Sequence, residues 1–142
     1  MNRRGFSLVE LLGVIVILGI LALISTPIIT GVIDDSRKSG FKTSLNGMKK
    51  AIETDYSEHK FDTSRRYRYK DKKLVEINSG DSIEISGHIT GYGEGTISTS
   101  GTVTFGAYTD KYCGIMTGSD VKMADENGFT YDACTTEVEG IN

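Results

Sequence analysis

From Leu11 to Ile33 the chain carries no charged residue. As an α-helix, a stretch of that length reaches roughly 30 Å or a little more, enough to cross a bilayer. One carboxylate, Glu10, stands at its edge, and Arg3 and Arg4 precede it. A carboxylate at the start of a membrane span costs a few kcal/mol unless something pairs with it. A chain that keeps one there implies a partner for it. In 142 residues this segment leaves about 110 for a single domain with one modest core.

The residues around Glu10 carry more than hydrophobicity. Gly5-Phe6-Ser7-Leu8-Val9-Glu10-Leu11-Leu12, behind a short basic leader, resembles the processing and assembly motif of type IV pilins and of the related pseudopilins of type II secretion and competence systems. The resemblance implies cleavage by a prepilin peptidase after Gly5 and N-methylation of the new terminus, Phe6. It also implies an assembly role for Glu10, which would attract the amino terminus of a neighbouring subunit. It covers the first third of the chain; the remainder is similar to the family in layout alone.

Elementary electrostatics supports the same reading. Cleavage would create an amine at Phe6. In lipid that amine and the Glu10 carboxylate are each costly alone and less so as a pair. A helix N-terminus also favours a negative group in its first turn. Two other readings compete. An ordinary secretory signal would have a shorter apolar run and a small-residue cleavage site near Ala22 to Thr26, which is absent. A plain membrane anchor accounts for the hydrophobicity but not for Glu10 or the Gly5-Phe6 junction. With Arg3 and Arg4 before the span and Asp34 and Asp35 after it, the leader stays cytosolic and the rest faces out.

Within the span, Pro27 removes a backbone donor and should kink the helix. The resemblance makes Gly19 to Pro27 the stretch able to bend or unwind; such residues are also simply tolerated in membrane helices. Beyond Ile33, Phe41, Leu45, Met48, Ile52 and Tyr56 recur at helical spacing and predict an amphipathic face. One helix is therefore expected from about residue 6 to 58, apolar over 6–33 and amphipathic over 34–58.

Residues 59–73 read as a basic connector loop. Arg65, Arg66 and Arg68 crowd there with Tyr67 and Tyr69 interleaved. Basic residues with aromatics can track and stack on single-stranded nucleic acid, and some filaments of the resembled family bind DNA. A solvated loop, or one lying between subunits, fits the same residues. Residues 74–142 read as antiparallel sheet. Ile83, Ile85 and Ile89 alternate with polar residues, and Ile97, Val103, Phe105 and Ala107 share one parity, so one face is covered. Gly91 to Gly95 reads as a turn, Leu74 to Ile77 as a short edge strand, and Asn127-Gly128 as a hairpin turn before a strand at Phe129 to Tyr131.

Cys113 and Cys134 are the only cysteines. Outside the cytosol an even pair reads as a disulfide, and the pair resembles the carboxy-terminal disulfide loop of many pilins. A metal pair would lack CxxC spacing and nearby histidines; two free buried thiols are the remaining reading. His59 and His88 are isolated and no catalytic constellation appears. Asp120, Asp125, Glu126 and Asn127 could gather calcium, as in some pseudopilins, but their order does not match an EF-hand loop and Lys122 sits among them. No catalytic residue, metal or cofactor is expected.

The expected fold is α+β and pilin-like. A leader (1–5) precedes a protruding hydrophobic helix (6–33) and a globular domain (34–142), whose amphipathic half-helix packs on a small antiparallel sheet. The expected function is a structural, non-enzymatic type IV pilus subunit for adhesion, twitching motility or related surface roles. Its partners would be other pilin subunits, the prepilin peptidase and methyltransferase, and an inner-membrane assembly platform. It would sit in the membrane before assembly and on the cell surface after it. A pseudopilin of a secretion or competence system shares every amino-terminal residue, and a monomeric anchored binding domain is the alternative from another class.

Overall fold

The computed structural model describes residues 5–59 and 63–141, apart from the side chains of 26–28. Leader residues 1–4, part of the connector at 60–62, and the side chain of Pro27, where a kink is expected, lie outside the described residues. The chain divides into two compact units, Met1–Arg37 and Lys38–Asn142. Helix α1, Leu8–His59, runs through both.

In the first unit none of the described residues covers the helix. The large apolar side chains described from Phe6, just before it, to Ile33 are between 45% and 87% exposed. Ser25 turns its hydroxyl back to the Leu21 carbonyl at 2.7 Å, which satisfies that polar group inside the helix.

In the second unit α1 covers a sheet. Phe41, Leu45, Met48 and Ile52 are buried, with Ala51 and Tyr56 packed beside them. The spacing expected from the sequence is thus the face in contact with the core. The strands are β1 Arg65–Lys70, β2 Lys73–Glu76, β3 Ser82–Ile83, β4 Tyr92–Ile97, β5 Val103–Tyr108, β6 Cys113–Thr117 and β7 Asp120–Met123. All neighbours pair antiparallel, in the order β3-β2-β1-β4-β5-β6-β7. The result is an α+β, pilin-like arrangement of one long helix on an antiparallel sheet.

Four expectations are corrected. The connector loop at 59–73 holds β1 and the start of β2. Its tyrosines alternate with its cations at period two, and Tyr67 and Tyr69 fill the core while Arg68 and Lys70 face outward. The Gly91 to Gly95 turn is mostly strand β4. Glycine serves there because a Cβ on Gly95 would come within 2.4 Å of the Phe105 ring from the paired strand. The alternation of Ile83, Ile85 and Ile89 yields only the two-residue β3, which makes β2 an inner strand.

The fourth correction concerns the carboxy terminus. Asn127-Gly128 does make a tight turn, with positive φ at both residues, but it closes a single bridge between Glu126 and Phe129. The chain then enters helix α2, Tyr131–Glu139, where a strand was expected to begin. Thr130 caps it, accepting from the Ala133 amide at 3.3 Å, and Asp132 lies in its first turn. Cys134 and Val138, one turn apart, bury its inner face with Cys113 and Ile115. Those sheet residues have the parity opposite to Gly114 and Met116, so α2 lies on the face away from α1. Gly106 permits the contact, since a Cβ there would meet Val138 at 2.7 Å.

Candidate assembly site at the amino terminus

Helix α1 starts immediately after Ser7, and the reason is local chemistry. The Ser7 hydroxyl accepts from the Val9 amide at 3.3 Å, and its carbonyl accepts the first helical bond, from Leu11, at 3.2 Å. In return Glu10 Oε2 accepts from the Ser7 amide at 2.9 Å. This is a reciprocal cap of the capping-box type, Ser-x-x-Glu, at the positive end of the helix dipole. The signal stands in the sequence, directly before the apolar run, and the reading of Glu10 by its charge alone missed it.

The cap fixes two features. Glu10 is exposed and faces back toward residues 5–7. Gly5 and Phe6 lie outside the helix, Phe6 is 87% exposed, and a Cβ on Gly5 would meet nothing within 4 Å. The peptide bond between them is accessible. A carboxylate accepts at both oxygens. Capping through Oε2 therefore still allows Glu10 to receive a cation at Oε1.

The basic segment does not form one contact surface. Tyr67 and Tyr69 are fully buried. Tyr67 donates to Asp55 Oδ2 at 2.9 Å, and burial together with that bond pushes its phenol pKa up. The reading in which these rings stack on bases is corrected: both face the core. Arg65 lies 4.0 Å from the buried Glu76, and Arg68 donates to Glu94 at 3.2 Å. Arg66 is half-buried in register with Thr96. The five residues are thus divided between two faces of the sheet.

Cys113 and Cys134 are bonded, with Cα atoms 6.1 Å apart, and tie β6 to α2 in the interior. Of the residues considered for calcium, Glu126 has lysine partners. Glu126 is held by Lys38 at 2.8 Å and Lys42 at 3.4 Å, and chiefly the Lys38 bond lowers its pKa. Among the described residues no group of three or more His, Cys, Asp or Glu is placed to hold a metal.

With this geometry in view, comparison with known proteins returns one result. Residues 1–26 match the family model described as the prokaryotic N-terminal methylation motif. The chain carries a type IV pilin-like class III signal on a pilin-like α+β fold. Searches of curated proteins and of solved structures returned no match. The motif implies processing by a prepilin peptidase and assembly with other pilin subunits. Motif and fold together point to a structural subunit, and the apolar helix near the amino terminus fits a membrane-anchored precursor.

Proposed function

We propose that this chain is the pilin of a type IV pilus, stored in the membrane by residues 6–33, cut between Gly5 and Phe6, and polymerised through α1. The observation that carries the proposal is the coincidence of that motif with an apolar half-helix that has no cover among the described residues. Such a surface requires lipid or other copies of itself around it.

Cleavage exposes an amine at Phe6. In the assembling fibre the amine of one subunit pairs with Glu10 of another, so that two desolvation costs are relieved together. The apolar helices bundle inside, Pro27 and Gly19 mark the stretch that adapts to the bundle, and the sheet domain coats the outside. Adhesion, motility or a related surface function resides in that coat.

Intact mass and amino-terminal sequencing of protein sheared from cells test the proposal. The expected chain begins at Phe6 and carries one added methyl group. A chain that retains Met1, or is cut well beyond Pro27, overturns it. Glu10→Ala should be processed and remain in the membrane without entering fibres; an anchored monomer would be indifferent to that change. Antibody labelling of long surface fibres separates a pilin from a pseudopilin, whose filament stays short and within the envelope.

A further inference from the structure

The sequence holds two Asn-Gly pairs, Asn46-Gly47 and Asn127-Gly128. Such a pair carries its own electrophile and nucleophile. The side-chain amide carbon of the asparagine and the backbone nitrogen of the glycine can close a five-membered imide, and glycine has no Cβ to block the approach. Closure depends on the freedom of both groups, and the fold treats the two pairs differently.

Asn46-Gly47 is locked. Both residues lie inside α1, where interior amides donate to carbonyls one turn back. Asn46 Nδ2 donates to the Lys42 carbonyl at 3.3 Å. A Cβ on Gly47 would collide with the Ser86 carbonyl oxygen, so that backbone is held from outside as well. A third asparagine, Asn78, precedes Ser79, whose amide donates to Glu76 Oε2 at 2.6 Å. Asn127-Gly128 is different. It is the exposed tip of a turn, with φ of 52° and 77°. Among the described residues no hydrogen bond holds the Asn127 side chain or the Gly128 N–H, and a Cβ on Gly128 would meet nothing within 4 Å. Turning this peptide toward the side chain strains the bond from the Phe129 amide to the Glu126 carbonyl, 3.0 Å long, which is a local opening at a surface tip. The same motion at Asn46 would break the helix.

We propose that Asn127 is a site of self-modification, at which the chain converts its own asparagine to aspartate and isoaspartate. The Gly128 nitrogen, its proton taken by solvent base, attacks Asn127 Cγ. The N–Cγ bond forms, the Cγ–Nδ2 bond breaks, and Nδ2 leaves as ammonia after taking a proton from water. Water then opens the imide at either carbonyl. One route leaves an aspartate; the other leaves an isoaspartate, whose backbone runs through the former side chain. Nothing is oxidised or reduced, and water is the only co-reactant. Both products add a carboxylate beside Asp125 and Glu126. Isoaspartate also inserts a methylene into a two-residue turn that closes the bridge from Glu126 to Phe129. Glu126 is the residue by which this turn holds α1, through Lys38 at 2.8 Å and Lys42 at 3.4 Å. Conversion therefore loosens that contact as the chain ages.

The test uses the full chain in detergent micelles, aged in mildly alkaline buffer, digested and read by peptide mass spectrometry, with isoaspartate counted by enzymatic carboxyl methylation. The peptide holding Asn127 should exchange amide for acid about tenfold or more faster than the peptide holding Asn46. In denaturant, where the fold no longer separates the pairs, the two rates should converge to within about threefold. Equal rates in the folded chain, or an undiminished gap in denaturant, overturn the proposal. Asn127→Gly keeps the turn, since glycine accepts positive φ, and should stop isoaspartate formation there with the melting temperature unchanged. Isoaspartate that persists at the turn of this variant overturns the assignment. In the parent, hydrogen exchange at the Phe129 amide should rise in step with conversion. Unchanged exchange in the fully converted chain refutes the loosening.

Discussion

Tyr69→Phe should destabilise the sheet domain far more than the loss of one oxygen suggests. The Tyr69 hydroxyl donates to the Ile89 carbonyl at 2.8 Å and accepts from the Ile89 amide at 3.1 Å. Tyr69 is 0% exposed and Ile89 is 7% exposed. Phenylalanine fills the same space but leaves a buried N–H and a buried C=O without partners. Each such group costs about 1–3 kcal/mol. About 2–4 kcal/mol is expected in total. Denaturant unfolding of the full chain in detergent micelles measures the loss, and hydrogen exchange at the Ile89 amide locates it. Tyr108→Phe is the control. Its hydroxyl donates to Glu139 at 2.8 Å on the exposed side, a bond that pushes its pKa up to about 12. Water replaces that partner, and the change should stay within about 0.5 kcal/mol. If Tyr69→Phe is equally mild and the Ile89 amide stays protected, the hydroxyl is not the pin.

Replacing Cys113 and Cys134 by serine opens a loop with a sequence separation of 21. It should cost about 3 kcal/mol, read as a fall of about 10–20 °C in melting temperature; a fall of a degree or two would show that the bond merely decorates a finished core. Gly95→Ala drives a Cβ to 2.4 Å from the Phe105 ring and should cost about 1–3 kcal/mol, with Phe105→Leu recovering part of it; unchanged stability would mean the ring moves freely. Glu76 and Glu126 have lowered pKa values. At Glu76 burial acts upward but is outweighed by bonds from Ser79 and Asn78 and by Arg65; at Glu126 the Lys38 bond dominates. Both therefore stabilise the fold above the ordinary carboxyl pKa, and that contribution is lost as pH falls through the lowered values. Acid unfolding curves below about pH 5 should flatten in Glu76→Gln and in Glu126→Gln, and the Glu126 part should fade with salt; curves parallel to the parent's refute the assignment.

Legibility in the sequence tracked the range of the forces involved. The α1 stripe from Phe41 to Ile52 was legible because helical period and burial coincide. The parity of β5 was legible for the same reason. The RYRYK run of β1 was not, because its charge drew attention from its alternation; the tyrosines find their role only against Asp55 and Ile89, 12 and 20 residues away. The glycines of β4 look like a turn until Phe105 is laid across them. Helix α2 is 9 residues long, too short for a periodic signal, and only its cap, Thr130, announced it. Strand order depends on pairings such as β1 with β4, which no local pattern encodes. At the amino terminus the motif was complete in the sequence. The capping bond from Ser7 to Glu10 was also legible, as Ser-x-x-Glu, and was obscured by the carboxylate's charge.

That bond bears on why a single carboxylate should govern assembly. Lipid tails are about as apolar as leucine side chains, so moving residues 11–33 from a bilayer into a bundle of like helices exchanges one apolar surrounding for another. The hydrophobic effect that keeps this segment out of water therefore discriminates little between membrane and fibre, and burial of the segment does not by itself drive assembly. A polar imbalance of a few kcal/mol in the same surroundings is then large by comparison. Before cleavage, Glu10 has its own helix cap as a partner and the chain has no amine at Phe6. Cleavage adds a cation in lipid, whose cost falls when a neighbour's Glu10 receives it, while the cap to Ser7 can persist on the other oxygen. On the proposed reading, processing makes the isolated subunit less comfortable in the bilayer, and pairing with a neighbour's Glu10 in the fibre relieves that cost. The carboxylate thus acts on the small difference between two apolar environments, which is where one charge can decide the outcome.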